Sequence, residues 1–274
     1  MLVTKYSDLT FFINMFKNNN CDLLIIESKG GCGKSRLFES VMSEEPYLRI
    51  LSHITPMQMF ILGYKYKDRK ILVDDVDGLL NSDETISLLK MFCETREIKE
   101  IAWLTTSGIL DKADVPPRYE TRSKVCILTN SFKELTKKVS ALKDRGWHIE
   151  FKPTDEEILG KIREIISDVP SKLSLEERFE VFNLIRDYSR FCDFSLRTFI
   201  KGLHLCTECK NKEIYWKQIL LTEMKINPKL VLINDLIKKH NQDKERVEEW
   251  ERQGLSRRSF YDYKNILVQK CGEI

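Results

Sequence analysis

The sequence of 274 residues contains no run of about 18 apolar residues, the length that a membrane-spanning helix requires. Its first residues do not combine a basic segment with a long apolar stretch, so we expect no secretory signal peptide. Its eight cysteines are spread through predicted strands and helices instead of forming a disulfide framework. Together these absences predict a cytoplasmic protein with reduced thiols and no membrane partner.

The chain also lacks a strong excess of one charge, an internal repeat and a low-complexity tract. Its net charge is +3, from 45 Lys and Arg against 42 Asp and Glu. This balance does not by itself indicate a nucleic-acid partner, so any basic surface must come from local clustering. Hydrophobic residues make up 42% of the chain, which is ordinary for a folded protein with a real core.

Over the first 150 residues, short apolar runs alternate with longer amphipathic stretches. Uninterrupted, β-rich runs of this kind are typical of parallel strands covered by helices on both faces. The pattern therefore predicts an α/β fold with a mainly parallel sheet. Segment 101–106 is a candidate for the first arm of a hairpin inserted before the fourth of these strands. The predicted strands are 23–26, 47–51, 71–73, 125–128 and 147–151, and the predicted helices are 34–43, 55–66, 82–95 and 131–143.

From Pro153 onward the pattern is helical. Thr154–Glu157 and Ser174–Glu177 match the capping box that opens helices. We expect three domains: an α/β core at 1–152, a helical lid at 153–211 and a C-terminal helical domain at 212–274. The predicted helices lie near 155–167, 175–190, 195–209, 213–224, 229–240, 244–253 and 257–269.

The segment Ser28–Ser35 reads SKGGCGKS and stands between a predicted strand and a predicted helix. Glycines let backbone N–H groups close around a phosphate chain, and the dipole of the following helix favours the anion. Lys34 would neutralise the β- and γ-phosphates, and the Ser35 hydroxyl would bind Mg²⁺. Ser28 replaces the usual first glycine of this motif. The sequence thus predicts ATP with Mg²⁺, bound by Gly30, Gly31, Cys32, Gly33, Lys34, Ser35 and Arg36.

A second strand ends in two acids, Asp74 and Asp75. The carboxyl ends of parallel strands meet at one edge of the sheet, so these carboxylates are expected beside the glycine loop. Asp74 would hold the hydration shell of Mg²⁺, and Asp75 would orient or deprotonate the attacking water. The alternative is an acidic strand end that caps the next helix. Aspartate at the second position is shorter than the glutamate of many such ATPases, which predicts slow or partner-dependent hydrolysis.

With these two elements, the chain resembles the AAA+ ATPase family over about residues 20–210. The resemblance implies a P-loop NTPase core with a helical lid. Asn130, at the end of a predicted strand, resembles the sensor 1 residue that contacts the γ-phosphate or the attacking water. Arg197, at the start of a predicted lid helix, resembles sensor 2.

The segment 141–146, before the last predicted strand, resembles the part of the family that carries an arginine finger. Arg145 would then reach the site of a neighbouring subunit and stabilise transition-state charge. Arg118 and Arg122 are competitors for that role. The resemblance therefore implies a homo-oligomer with ATP sites at subunit interfaces.

The segment Gln253–Lys264 resembles the turn and recognition helix of a resolvase-type helix-turn-helix. Gly254 suits the turn, and Phe260 is expected in a small core with Trp250 and Val247. Trp250 stands where such motifs usually have a small residue. The alternative is a helical module that docks on the lid or on a protein. The residues expected to contact DNA are Arg257, Arg258, Ser259 and Asp262.

The preferred function is an ATPase that assembles on or remodels DNA during replication initiation, helicase loading or transposition, with a helicase or transposase as a possible partner. One alternative is a protein-remodelling ATPase whose C-terminal domain binds a protein. Another is an ATP-dependent switch or scaffold that hydrolyses little ATP.

Overall fold

A computed structural model describes residues 1–51, 54–74, 82–104, 108–130, 142, 144–209 and 213–271. Its contacts divide the chain into two compact units, Met1–Pro153 and Thr154–Ile274. Asp75 lies outside the described residues, as does nearly all of the helix predicted at 131–143.

The first unit is built on one six-stranded parallel sheet with the order β1-β8-β2-β7-β4-β3. Strands β2 and β7 are buried along their whole length or nearly so. Helices surround this sheet, so the predicted α/β fold with a mainly parallel sheet is confirmed. The strands are β1 (Leu2–Val3), β2 (Leu23–Glu27), β3 (Tyr47–Leu51), β4 (Lys70–Asp74), β7 (Val125–Thr129) and β8 (Trp147–Phe151).

The register of the sheet brings the carboxyl ends of its central strands to one edge. Glu27 of β2 lies opposite Thr129 of β7, and Asp74 of β4 lies opposite Leu128. Polar groups that follow these strands are therefore neighbours, although they are far apart in the sequence.

Five described helices belong to this unit. One face of the sheet packs in a cluster that includes Phe60 of α3 and Leu89 of α4. No element was predicted before residue 23, yet β1 and α1 precede it, and α1 buries Leu9, Ile13 and Phe16 at helical spacing. The helices are α1 (Tyr6–Lys17), α2 (Lys34–Val41), α3 (Pro56–Lys65), α4 (Asp83–Phe92) and α5 (Ile109–Ala113).

The candidate hairpin is present. Strand β5 (Lys99–Ala102) pairs in antiparallel fashion with β6 (Arg118–Thr121), and Ile101 lies opposite Tyr119. The first arm begins two residues earlier than expected and ends at Ala102.

The second unit is helical, and its described residues form two hydrophobic clusters. One gathers Ile162, Ile185, Phe199 and Trp216, and the other gathers Ile233, Trp250 and Phe260. No described helix is both long and apolar enough to cross a membrane. The helices are α6 (Asp155–Ile165), α7 (Leu175–Tyr188), α8 (Leu196–Glu208), α9 (Glu213–Glu223), α10 (Pro228–Lys239), α11 (Asp243–Arg252) and α12 (Arg257–Cys271).

The predicted boundary between lid and C-terminal domain at 211/212 remains a prediction. Trp216 and Leu220 of α9, which follow that boundary, pack in the cluster formed by α6, α7 and α8. Both predicted capping positions are used: Thr154 and Ser174 accept hydrogen bonds from the backbone N–H groups of Glu157 and Glu177.

Candidate functional site

The glycine loop connects β2 to α2, as the sequence predicts. Gly31 (φ 89°) and Gly33 (φ 78°) adopt left-handed conformations, which side chains other than glycine rarely accept. Gly33 caps the N-terminus of α2, and Lys34 is the first helical residue. Left-handed residues alternating along a turn aim successive backbone N–H groups into one concavity, which suits an anion.

The ammonium group of Lys34 lies at the centre of this edge of the sheet. Its Nζ donates hydrogen bonds to the Ser28 carbonyl oxygen (3.1 Å) and to Oδ1 of Asn130 (2.7 Å). The Lys34 residue is buried, and Asn130 follows the end of β7. The structure thus brings the loop lysine and the expected sensor residue into direct contact across 96 positions of the sequence.

Beside them, the Ser35 hydroxyl donates a hydrogen bond to Oδ1 of Asp74 (3.3 Å). A hydroxyl and a carboxylate are hard oxygen donors, and Mg²⁺ in nucleotide sites uses few protein ligands together with waters and phosphate oxygens. The pair therefore fits the predicted Mg²⁺. Among the described residues no cluster of three or more His, Cys, Asp or Glu offers a richer metal site.

Arg49, which no sequence motif marks as a site residue, approaches the same carboxylate from β3. Its Nη2 donates to Oδ2 of Asp74 (2.6 Å), and its Nη1 donates to Oε1 of Glu39 on α2 (2.6 Å). The available signal was a charged residue in the middle of an otherwise apolar strand. Asp74 therefore uses one oxygen toward Ser35 and the other toward a guanidinium.

Tyr6, the first residue of α1, is a second site residue that the sequence does not mark. Its hydroxyl donates a hydrogen bond to the carbonyl oxygen of Cys32 inside the glycine loop (3.0 Å). No local motif links these residues, which lie 26 positions apart.

Arg145 lies at the opposite edge of the sheet from the glycine loop. Its Nη1 donates to the Lys90 carbonyl oxygen (2.8 Å), and the adjacent Gly146 lies against Leu23, the first residue of β2. A five-residue strand spans about 17 Å. Arg145 is therefore remote from the phosphate loop of its own chain.

The other predicted arginines are distributed as follows. Arg118 and Arg122 are exposed on or beside the hairpin and pair with Glu100 (3.3 Å) and Glu97 (3.7 Å). Arg197 belongs to the second unit, in the first turn of α8.

In the second unit, α11 and α12 are joined by a short turn in which Gly254 is left-handed (φ 76°). The buried rings of Trp250 and Phe260 pack edge to face at 5.9 Å, in one cluster with Val247 and Leu255. The small core expected for this helix pair is therefore present, with Trp250 as its largest member.

The predicted DNA-contacting residues differ in their surroundings. Arg257, Arg258 and Asp262 are exposed. Ser259 is half-buried, and its hydroxyl donates to the Ser256 carbonyl oxygen (2.7 Å) and accepts from Nε1 of Trp250 (3.2 Å). Ser259 thus helps to fix the start of α12.

Comparisons with known proteins give distant similarities. No protein-family model matches the chain. An uncharacterised 36.7 kDa protein of the nrdC–mobD intergenic region of Enterobacteria phage T4 is 23% identical over 237 residues, covering 78% of this chain and 72% of that protein. The similarity extends over most of both chains.

Two solved structures are similar at the level of the fold. Domain III of the Thermotoga maritima replication initiation protein DnaA is 17% identical with a TM-score of 0.49, covering 80% of this chain and 91% of that one. The FIGL-1 AAA domain in complex with ADP is 15% identical with a TM-score of 0.43, covering 74% and 68%. At this level of similarity neither structure identifies the activity of the chain.

Proposed function

We propose that the chain binds ATP with Mg²⁺ and hydrolyses it as an AAA+ ATPase. The observation that carries this proposal is the convergence of the ammonium of Lys34, the hydroxyl of Ser35, the carboxylate of Asp74 and the amide of Asn130 at one edge of the sheet. These four groups come from three separate segments. Each has the chemistry that a triphosphate or its metal requires.

Lys34 donates hydrogen bonds to the neutral oxygens of Ser28 and Asn130 in this structure. In this proposal the arriving phosphate oxygens replace them as acceptors. Ser35 and Asp74 hold Mg²⁺, which when bound neutralises charge on the phosphates. Asn130, released from Lys34, orients the attacking water or the γ-phosphate. Asp75 is proposed to orient or deprotonate that water.

The test is ATP binding and hydrolysis by variants of the full chain. Lys34→Ala should weaken ATP binding by roughly 100-fold or more, because a buried charge partner of the phosphates is lost. Asn130→Ala should bind ATP almost normally and lower kcat by about 10- to 100-fold. Asn20→Ala, at an exposed position, is the control. Normal ATP binding without hydrolysis in the wild type would instead support the switch or scaffold function.

We further propose that the active form is a homo-oligomer in which Arg145 of one copy completes the site of another. Its position supports this, because about 17 Å of strand separates it from the phosphate loop of its own chain. Arg197 is proposed to contact the bound nucleotide from the lid of the same subunit.

For the C-terminal helices we propose DNA binding, so that ATP-driven assembly or remodelling takes place on DNA in replication initiation, helicase loading or transposition. The support is a helix pair with a glycine turn, a closed core and exposed Arg257 and Arg258 at the start of α12. In such pairs the second helix enters the major groove, and arginine there contacts guanine or phosphate.

Duplex DNA affinity at several salt concentrations tests this part. The double variant Arg257→Ala with Arg258→Ala should lose at least 10-fold in affinity and show a shallower salt dependence. The charge-matched double variant Arg186→Ala with Lys201→Ala should retain wild-type affinity. Unchanged DNA binding in the first variant would favour a C-terminal domain that binds a protein, such as a helicase or transposase.

A further inference from the structure

Tyr6 is held at both ends. Its ring packs edge to face against Phe151 of β8 at a centroid distance of 5.1 Å, and its hydroxyl reaches the Cys32 carbonyl in the glycine loop. The residue is buried. The adjoining strand β1 is fixed as well, because Val3 pairs with Phe151. The side chain therefore joins the first helix and the edge of the sheet to the loop.

The Cys32 carbonyl belongs to the same peptide unit as the N–H group of Gly33. No cis peptide occurs in the described part of the chain, so these two groups point in opposite directions. A donor that fixes the carbonyl on one side thus fixes the N–H on the other side. In a loop of this kind, that N–H is among the groups that meet a phosphate.

This peptide unit needs an external support because of its neighbours. A peptide plane flips by rotating ψ of the residue before it and φ of the residue after it. Gly33 follows the bond at φ 78°, and glycine populates positive and negative φ about equally readily. The backbone alone therefore does not select one orientation of the plane.

We propose that Tyr6 is a positioning residue of the nucleotide site, which orients the Cys32–Gly33 peptide for the phosphate chain before the nucleotide arrives. The inference rests on the proposed function, since it concerns the same loop. It adds a residue of the first helix to a site whose other groups come from the loop and from the ends of β4 and β7. Phosphate is bound in the ground state and in the transition state alike, so Tyr6 acts on affinity and not on the chemical step.

The experiment compares Tyr6→Phe with Tyr119→Phe in the full chain. Tyr119 is a matched control, because it is also buried and its hydroxyl also donates to a backbone carbonyl, that of Phe60, at 3.0 Å. Both substitutions keep the ring and remove the hydroxyl that donates to a backbone carbonyl. The measurements are the Kd for ADP, KM and kcat for ATP, the nucleotide-free Tm, and hydrogen exchange of the loop amides.

Tyr6→Phe should raise the Kd for ADP and the KM for ATP by about 3- to 10-fold, as expected for one lost hydrogen bond, with kcat within two-fold of wild type. Loop amides should exchange faster in the nucleotide-free variant. Tyr119→Phe should leave Kd and KM within two-fold of wild type, although its nucleotide-free Tm should fall by about as much as that of Tyr6→Phe.

Equal affinities in the two variants, or a loss of affinity that follows the fall in Tm in both, would overturn the role of Tyr6 and leave the ATPase proposal intact. A fall in kcat with unchanged KM would also overturn it. A wild-type protein that binds neither ADP nor ATP would instead remove the proposed function, and this inference with it.

Discussion

Arg49 places a positive charge against the carboxylate expected to hold the metal. Its guanidinium lies 2.6 Å from Oδ2 of Asp74, while Oδ1 faces the Ser35 hydroxyl. In the proposed site, the guanidinium and hydrated Mg²⁺ would therefore share one carboxylate. Because Arg49 is partly exposed, solvent screens its charge and reduces its effect on the metal.

Arg49→Gln should lower the Mg²⁺ concentration for half-maximal ATP binding by about two- to five-fold, because removing a nearby positive charge favours the cation. Arg69→Gln, an exposed arginine on the turn before β4, is the control and should have no effect. The measurement is a Mg²⁺ titration at fixed ATP. A higher Mg²⁺ requirement in Arg49→Gln would mean that orientation of Asp74 outweighs its neutralisation.

At the scale of elements, Arg178 joins α6 to α7. Its guanidinium donates to five backbone carbonyls of the connection, those of Ile166, Ser167, Val169, Ser171 and Leu173, at 3.0–3.2 Å. Carbonyls at a helix C-terminus have no partner within their helix, and a cation there also favours the helix dipole. One side chain thus holds the whole link in place.

Arg178→Met should lower the free energy of unfolding of the second unit by about 2–4 kcal/mol, because several carbonyls lose their donor at once. The control Arg186→Met removes a guanidinium that bonds the adjacent side chain of Asp187. It should change the free energy of unfolding by about 0.5 kcal/mol or less. Denaturant unfolding measures both, and hydrogen exchange over 166–174 should report local opening. Equal stability of the two variants would contradict the role of Arg178.

The helix pair α11–α12 contains a group that makes its stability depend on pH. The hydrogen bond from Lys264 to Asp243, helped by that from Arg246 and opposed by partial burial, lowers the pKa of Asp243 below its ordinary value of 3.8. The stabilisation is fully present above pH 3.8. It is lost as the pH falls from there through the lower pKa of the folded state.

Asp243→Asn should therefore be less stable than wild type at pH 7, and this difference should shrink below pH 3.8 as wild-type Asp243 becomes protonated. Asp235→Asn, at an exposed position of α10, is the control. Thermal unfolding of both variants between pH 2.5 and 7 gives the comparison. A difference from wild type that stayed constant over this range would rule out the ionised pair.

Elements with a strong local signal could be predicted from the sequence. Strands β2, β4 and β7 are continuous apolar runs, and capping positions marked the starts of α6 and α7. Helix α1 was missed although its buried residues follow helical spacing, because no capping side chain marks its start. Strand β1 has two residues, which is too short for any periodicity.

At the scale of the whole molecule, the site likewise contains residues that a local sequence signal marks and residues that it does not. The loop and Asp74 were predicted because they stand at the end of recognisable strands, and Asn130 was predicted from its resemblance to a sensor 1 residue. Parallel strands bring these ends together. Arg49 and Tyr6 could not be predicted as site residues. Their roles depend on the strand order and on the packing of α1, which no local pattern encodes.

Mixing two inactive variants tests whether Arg145 acts in a neighbouring copy. Asn130→Ala and Arg145→Ala should each hydrolyse ATP poorly. An equal mixture should regain up to about a quarter of wild-type activity, because half of the subunits keep Asn130 and half of their neighbours keep Arg145. Arg118→Ala and Arg122→Ala are each tested in the same way, in an equal mixture with Asn130→Ala. A loss in Arg145→Ala that no mixture restores would mean that Arg145 acts through Lys90 within its own chain.

Helix α1 carries Tyr6 toward the glycine loop, whereas Phe11 of the same helix is 60% exposed. Any molecule that binds this exposed side and shifts the helix changes the energy of the Tyr6 hydrogen bond. Thermodynamic linkage then requires reciprocity: a ligand that tightens nucleotide binding by some factor is itself bound more tightly, by the same factor, once the nucleotide is present.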